Sequence, residues 1–264
     1  MSATALKNAM PDVIYLSAPS PVHMADEWFK IASLEHFWIK RRFDVLRKVA
    51  KNIDFSGKKI GEVGCGCGLL QKQFEQCYGV AVDGFDLNAE ALRESIVKNQ
   101  PRFCYNIFER NPQLAGHYDF FILFDVIEHI EEEKPFLEAA LFHLKPGGCL
   151  LINVPGLMAF YSAFDKAVGH QRRYTLQSMH SLCAGVGLKK VTGTYWGLPL
   201  LPILFLRNMR VSRQMDTQTI IRNGYKPPGR LANQFLGFIS ALEYVPQQWL
   251  GTSLMVVYRK EAGL

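Results

Sequence analysis

"GEVGCGCGLL", residues 61–70, follows the strand-like stretch "KKI" and runs into a helix-like stretch, with Gly61, Gly64, Gly66 and Gly68 crowded into eight positions. Its spacing narrows the ligand that so much bare backbone can serve. A dinucleotide-binding turn carries G-x-G-x-x-G, whereas Gly64, Gly66 and Gly68 run G-x-G-x-G. A triphosphate loop closes on Gly-Lys-Ser/Thr, which "GCGLLQKQ" lacks. What remains is a strand ending in an acid, Glu62, and then a turn whose amides can approach an adenosine-bearing ligand. The helix N-terminus beyond it can receive a carboxylate. An amino acid joined to adenosine has both parts.

The next strand adds the other half of such a site. "VDGFDLNAEAL", residues 82–92, puts Asp86 at a strand end 20 residues after Gly66, where an acid can accept both ribose hydroxyls, and Asn88 is placed to cap the following helix. Further along, apolar periods alternate between strand and helix: strands near 59–63, 80–86, 103–108, 118–124 and 149–154, helices over 69–78, 89–98 and 132–144. Pro135 and the pair Gly147 and Gly148 punctuate the last helix as start and stop signals. Alternation of this kind predicts a mostly parallel sheet with helices on its faces.

With these stretches in view, the chain resembles the class I S-adenosylmethionine-dependent methyltransferases. "EVGCGCG" (62–68), "DGFDLN" (83–88), "FDVIEHI" (124–130) and "LKPGGCLLINVP" (144–155) are similar to four motifs of that family, in its order and spacing. The resemblance implies a Rossmann-like α/β domain with a seven-stranded sheet in the order 3-2-1-4-5-7-6. It also implies S-adenosylmethionine as cofactor, held by Glu62, Gly64, Cys65, Gly66, Gly68, Asp86, Leu87, Phe124 and Asp125. Within the family, "DVIEH" is closest to the ubiquinone-biosynthesis O-methyltransferases and to small-RNA 2′-O-methyltransferases, in which acids and a histidine gather near the acceptor. Their first position is usually Glu; here it is Asp125.

Methyl transfer from a sulfonium asks mainly for positioning, and an oxygen acceptor asks in addition for a base. His129 and His170 are the candidates, with Glu128 orienting an imidazole. Asp125, Glu128, His129 and His170 also offer a divalent metal a ligand set, the less favoured reading. Arg172 and Arg173, with Tyr174 beside them in "GHQRRYTLQSM", are expected to clamp the acceptor.

Composition agrees with one large folded domain: 264 residues, 48% hydrophobic, net charge +6. Six cysteines without a C-x-x-C pair read as free thiols in a reducing compartment, and the N-terminus shows no secretory pattern, so a cytoplasmic protein is expected. Residues 1–21 read as a loose arm, and 22–264 as the methyltransferase domain. An amphipathic helix carrying Trp28, Ile31, Leu34, Trp38, Val45 and Val49 precedes the main fold, and a helical cap is expected over about 197–250.

The basic excess sits in residues 189–230, where Lys189, Lys190, Arg207, Arg210, Arg213, Arg222, Lys226 and Arg230 face a single acid, Asp216. The same region holds "YWGLPLLPILFL", 12 residues with two internal prolines, too short to span a bilayer as a helix. It is expected to form a substrate lid or a cover, with peripheral contact to an anionic membrane as the alternative. The function expected is O-methylation of a small-molecule, glycan or lipid-linked acceptor. RNA 2′-O-methylation is the competing enzyme reading, disfavoured because no RNA module is evident. A non-catalytic binding protein ranks last because Glu62, the glycines and Asp86 are all present.

Overall fold

The computed structural model describes residues 13–20, 33–210, 216–217, 219–221 and 229–261. The central sheet has eight strands in the order β1-β4-β3-β2-β5-β6-β8-β7. These are β1 (Ile14–Tyr15), β2 (Ile60–Val63), β3 (Asp83–Asp86), β4 (Arg102–Cys104), β5 (Tyr118–Phe124), β6 (Leu144–Pro155), β7 (Leu188–Trp196) and β8 (Ser253–Lys260). Without β1, the order is the expected 3-2-1-4-5-7-6. All pairings are parallel except those of β8, which runs antiparallel to β6 and β7.

The eighth strand corrects the expected count of seven and, for residues 13–20, the reading of 1–21 as a loose arm; residues 1–12 and 21 lie outside the described residues. Ile14 and Tyr15 pair with Phe103 and Cys104, and the Ser20 amide donates to the Leu87 carbonyl at 3.1 Å. The first helix, α1 (Phe37–Val49), carries the expected Trp38, Val45 and Val49; Trp28 and Ile31 lie outside the described residues.

β5 shows why this sequence makes a doubly covered sheet. Its "FFILF" is continuously apolar, which suits a strand buried on both faces. Side chains alternate, so Phe121 and Leu123 enter one core with Ile152 and Leu137, while Phe120, Ile122 and Phe124 enter the other with Leu46 and Phe74. Helices α2 (Leu69–Tyr78) and α1 cover the second face, and α4 (Glu133–His143) and α6 (Leu176–Ala184) the first.

Two expected elements are cut short for local reasons. The helix expected over 89–98 is α3 (Ala89–Arg93), because beyond it the Ile96 amide donates to the Cys67 carbonyl at 2.9 Å, fastening the chain to the glycine turn instead of continuing the helix. The strand expected to reach 108 stops at Cys104, since the Asn106 side chain caps a 3-10 turn over Ile107–Glu109. Conversely, β6 begins at Leu144, directly after α4, and takes in both glycines expected only to stop that helix.

Further helices among the described residues are α5 (Ala163–Ala167), α7 (Leu201–Arg210) and α8 (Arg230–Ala241). Lys189 and Lys190 sit on β7, away from the helical cap. Arg207 is held with its guanidinium 4.2 Å over the Phe164 ring, while Arg213, Arg222 and Lys226 lie outside the described residues.

Candidate active site

Strand order reverses between β2 and β5, and in an open α/β sheet the crevice at such a reversal, beyond the carboxyl ends of the strands, is where ligands bind. The glycine turn lies there. Gly64 and Cys65 both donate backbone N–H to the Phe85 carbonyl, at 2.7 and 3.1 Å, and the Gly66 amide donates to Asp86 Oδ2 at 2.8 Å. The Asn88 amide takes Asp86 Oδ1 at 2.8 Å, so the carboxylate is fixed against the turn. Gly64 has φ +71°, and a Cβ there would stand 2.6 Å from Val126 Cγ2. That contact joins the turn to the segment carrying Asp125 and Glu128. Cys65 is buried.

Glu62 is buried beneath the turn, and its Oε2 has no hydrogen-bond partner among the described residues. Burial, against partial compensation by Arg42 and with added repulsion from Asp86, pushes its carboxyl up to about 8 from the ordinary 4.5. A folded-state value above the unfolded one means that the folded chain binds more protons between pH 4.5 and about 8, so stability falls as pH rises through that window. Thermal melts of the cofactor-free protein should therefore show Tm falling over this range. Glu62→Gln should flatten the fall, recovering about 1–4 kcal/mol at its upper end. An identical pH profile in the variant would contradict a buried, protonated Glu62.

Asp125 follows β5 with φ +58°, a conformation that costs a non-glycine residue energy unless its surroundings hold it. They do: Arg42 Nη1 pairs with Oδ2 at 2.6 Å, and Asn153 Nδ2 donates to Oδ1 at 2.8 Å. Arg42, from α1, lies over the Trp38 and Phe124 rings at 5.0 and 5.2 Å. This corrects two expectations. The Phe124 side chain belongs to the core beneath Arg42, and Asp125 is bound by Arg42 and Asn153 and is not grouped with Glu128, His129 and His170. Arg42 and Asn153 went unnoticed in the sequence. Asn153 carried one signal, a polar residue inside the buried strand "LLINVP".

At the acceptor end, His129 and His170 come together edge to face, 4.8 Å between ring centroids, although 41 residues separate them. Glu128, on the 3-10 turn Ile127–His129, is fully buried, and neither carboxylate oxygen has a hydrogen-bond partner among the described residues. Burial, reinforced by the nearby Asp125 charge, raises its carboxyl well above the ordinary value. His170 Nε2 lies 3.9 Å from Glu128 Oε1.

The other face of His170 is held by a residue that the sequence reading missed: its Nδ1 is 2.9 Å from Asp165 Oδ1. Burial alone would raise Asp165, but hydrogen bonds and charge from His170 and Arg173 outweigh it and bring the carboxyl down to about 2. An ionised carboxylate only accepts, so Nδ1 carries the proton, and in the neutral ring Nε2 presents its lone pair toward Glu128.

Glu128, His129 and His170 each offer one ligand atom, all within 4.8 Å of one another. One carboxylate and two imidazoles suit a transition metal such as zinc or iron better than magnesium.

The expected acceptor clamp is not what the structure shows. Arg173 is buried, its Nε donating to Asp165 at 2.8 Å and its Nη1 to the Gly156 carbonyl at 3.2 Å. Tyr174 is buried with its hydroxyl 2.6 Å from Glu133, and Arg172 pairs with the same Glu133 at 2.7 Å. These residues brace the loop that carries His170. Asp165 escaped notice because an Asp five residues before a His carries no helical or strand signal.

A family described as a methyltransferase domain matches residues 34–192. The mitochondrial ubiquinone biosynthesis O-methyltransferase of Schizosaccharomyces pombe is 26% identical over 136 residues, covering 48% of this chain and 49% of that protein. The ubiquinone biosynthesis O-methyltransferase of Marinobacter nauticus is 29% identical over 116 residues, covering 41% and 48%. The chain thus spans about half the length of the curated relatives it matches. Among solved structures, Haemonchus contortus phosphoethanolamine N-methyltransferase 2 in complex with S-adenosylmethionine superposes with a TM-score of 0.55, at 18% identity over 86% of this chain and 56% of that one.

Proposed function

The chain belongs to the methyltransferase-domain family, and on that premise we propose that it transfers the methyl group of S-adenosylmethionine to an oxygen of a small-molecule, glycan or lipid-linked acceptor. The observation that carries this reading is the Asp165–His170 pair, with His170 Nε2 3.9 Å from Glu128 and the ring against His129. Glu128 lies two residues beyond Val126, whose side chain closely approaches the glycine turn at Gly64.

The acceptor oxygen forms a bond to the methyl carbon as the carbon–sulfur bond breaks. The bonding pair returns to sulfur, giving a neutral thioether. The hydroxyl proton passes to His170 Nε2, and the ionised Asp165 stabilises the imidazolium that results. Burial raises the Glu128 carboxyl well above its ordinary value, and in its protonated form it would offer a hydrogen bond at the acceptor without repelling an incipient alkoxide. The two matched relatives are named as O-methyltransferases, which supports oxygen as the nucleophile.

The grouping of Glu128, His129 and His170 favours one second reading, a divalent metal held by those three side chains and polarising the acceptor oxygen. RNA as acceptor gains no support from the described basic residues, since Lys189 and Lys190 lie on β7 and Arg207 is stacked on Phe164.

A panel of phenols, sugars, lipid-linked alcohols and amines should be incubated with methyl-labelled cofactor, with and without chelator. Label is expected on hydroxyl acceptors, and equally in chelator. Label on amines alone would overturn oxygen transfer. Loss of activity in chelator, restored by added zinc or iron, would replace the base with the metal.

A further inference from the structure

The cap presents a face that the fold does not use. On α8 and its C-cap, Leu231, Phe235, Phe238 and Leu242 follow one another at spacings of four, three and four residues, and are 83%, 61%, 64% and 68% exposed. Such a stripe is what a helix normally turns inward. Here the inward face is the other one: Asn233 accepts from the Phe37 amide and donates to the Glu35 carbonyl, both at 2.9 Å, Gly237 lies against Phe37, and Ser240 is buried. The chain after the helix adds Tyr244 and Trp249, 80% and 78% exposed. Phe205 and Leu206 are exposed on α7, and both helices rest on the Leu198–Leu200 turn.

Charge says what kind of surface this face meets. Residues 229–250 contain one acid, Glu243, and it is buried, paired with Arg41 and accepting from the Gly197 and Leu198 amides. No exposed carboxylate therefore interrupts the stripe. Arg230 is exposed at its start, and Lys40 of α1 stands with it beside the helix, while the acids there, Glu35 and Asp44, lie on the α1 flank and not on the stripe. An exposed run of aromatic and leucine side chains with an arginine at its head and no carboxylate of its own matches the boundary layer of an anionic bilayer, where rings sit at headgroup depth and lysine or arginine meets lipid phosphate. No described helix is long and apolar enough to cross a membrane, so contact would be from the side.

We propose that α8, with the Tyr244–Trp249 loop and the exposed edge of α7, seats the protein on an anionic lipid surface. The expected location of the apolar contact, "YWGLPLLPILFL", is thereby moved: Trp196, Leu200 and Leu204 of that run are buried, and the exposed face is built mainly from α8.

Cosedimentation of the full chain with phosphatidylcholine vesicles, with and without phosphatidylglycerol, tests this independently of any methyl transfer. Binding is expected with phosphatidylglycerol present, weaker without it, and reduced by salt. Phe235→Ser and Phe238→Ser should each lower partitioning about tenfold. Because these side chains are exposed, the affinity of the variants for S-adenosylhomocysteine should match wild type, which checks that they fold. Failure to bind either vesicle, or variants that bind like wild type, would overturn the proposal. A wild-type dimer in light scattering that the variants convert to monomer, without vesicle binding, would assign the face to a second copy instead.

Discussion

His170→Ala is expected to lower the rate of methyl transfer to a hydroxyl acceptor by about 10²–10⁴-fold while leaving cofactor affinity close to wild type, the range spanned by loss of a positioned general base. The separation follows from where the residues stand. The cofactor's side is built by the glycine turn and Asp86, whereas His170 reaches the site from the loop after β6, tied to Asp165 at 2.9 Å. A loss confined to turnover marks an interaction made in the transition state.

Asp165→Asn should cost turnover too, since an amide accepts less strongly than a carboxylate and no longer fixes the tautomer. It is the less clean test, because Asp165 also holds Arg173 and the Ser162 amide. Acceptor acidity distinguishes roles: the loss in His170→Ala should be smaller for acidic phenols, which need less help in giving up their proton, than for alkyl alcohols. An equal loss across acceptors, or a variant with full turnover, would remove His170 as the base.

How far the sequence revealed this site depends on how local each signal was. Glu62, the glycine turn and Asp86 belong to strand ends and a tight turn, where backbone geometry dictates residue type within a few positions, and the structure ties the turn to Phe85 and Asp86. His129 and His170 were also legible, each beside a motif, and they meet at 4.8 Å.

The second layer was not legible. Arg42 reaches Asp125 across 83 residues of sequence, and Arg173 turns from the expected acceptor clamp into a brace because a buried Asp165 captures it. No periodicity reports such pairings, since they arise from which helix lies over which strand. The cap failed differently. Its helical period was plain, but a period shows only that one face is apolar, and α8 keeps that face outward because Asn233, Gly237 and Ser240 make the better fit to α1.

Gly64→Ala should test the junction between the two halves of the site. At φ +71° an alanine costs about 1–2 kcal/mol more than glycine. Its Cβ, 2.6 Å from Val126 Cγ2, adds an overlap of about 1–3 kcal/mol. An empty turn can relax away from the clash, but one that must hold adenosine cannot, so the cost falls on cofactor binding. At 1.4 kcal/mol per tenfold, a combined cost of about 2–5 kcal/mol weakens binding by about 30- to 3000-fold. Because Val126 carries the next residues toward Glu128, any displacement there should lower turnover as well.

Val126→Ala in the same chain removes the methyl that Cβ would strike and should restore the steric share of the loss, leaving the backbone share. The double variant should therefore bind better than Gly64→Ala alone, with a favourable coupling of about 1–3 kcal/mol in calorimetry. Additive losses would show that the turn and the Val126 segment do not meet as described, and the proposed continuity between cofactor and acceptor ends would fail with them.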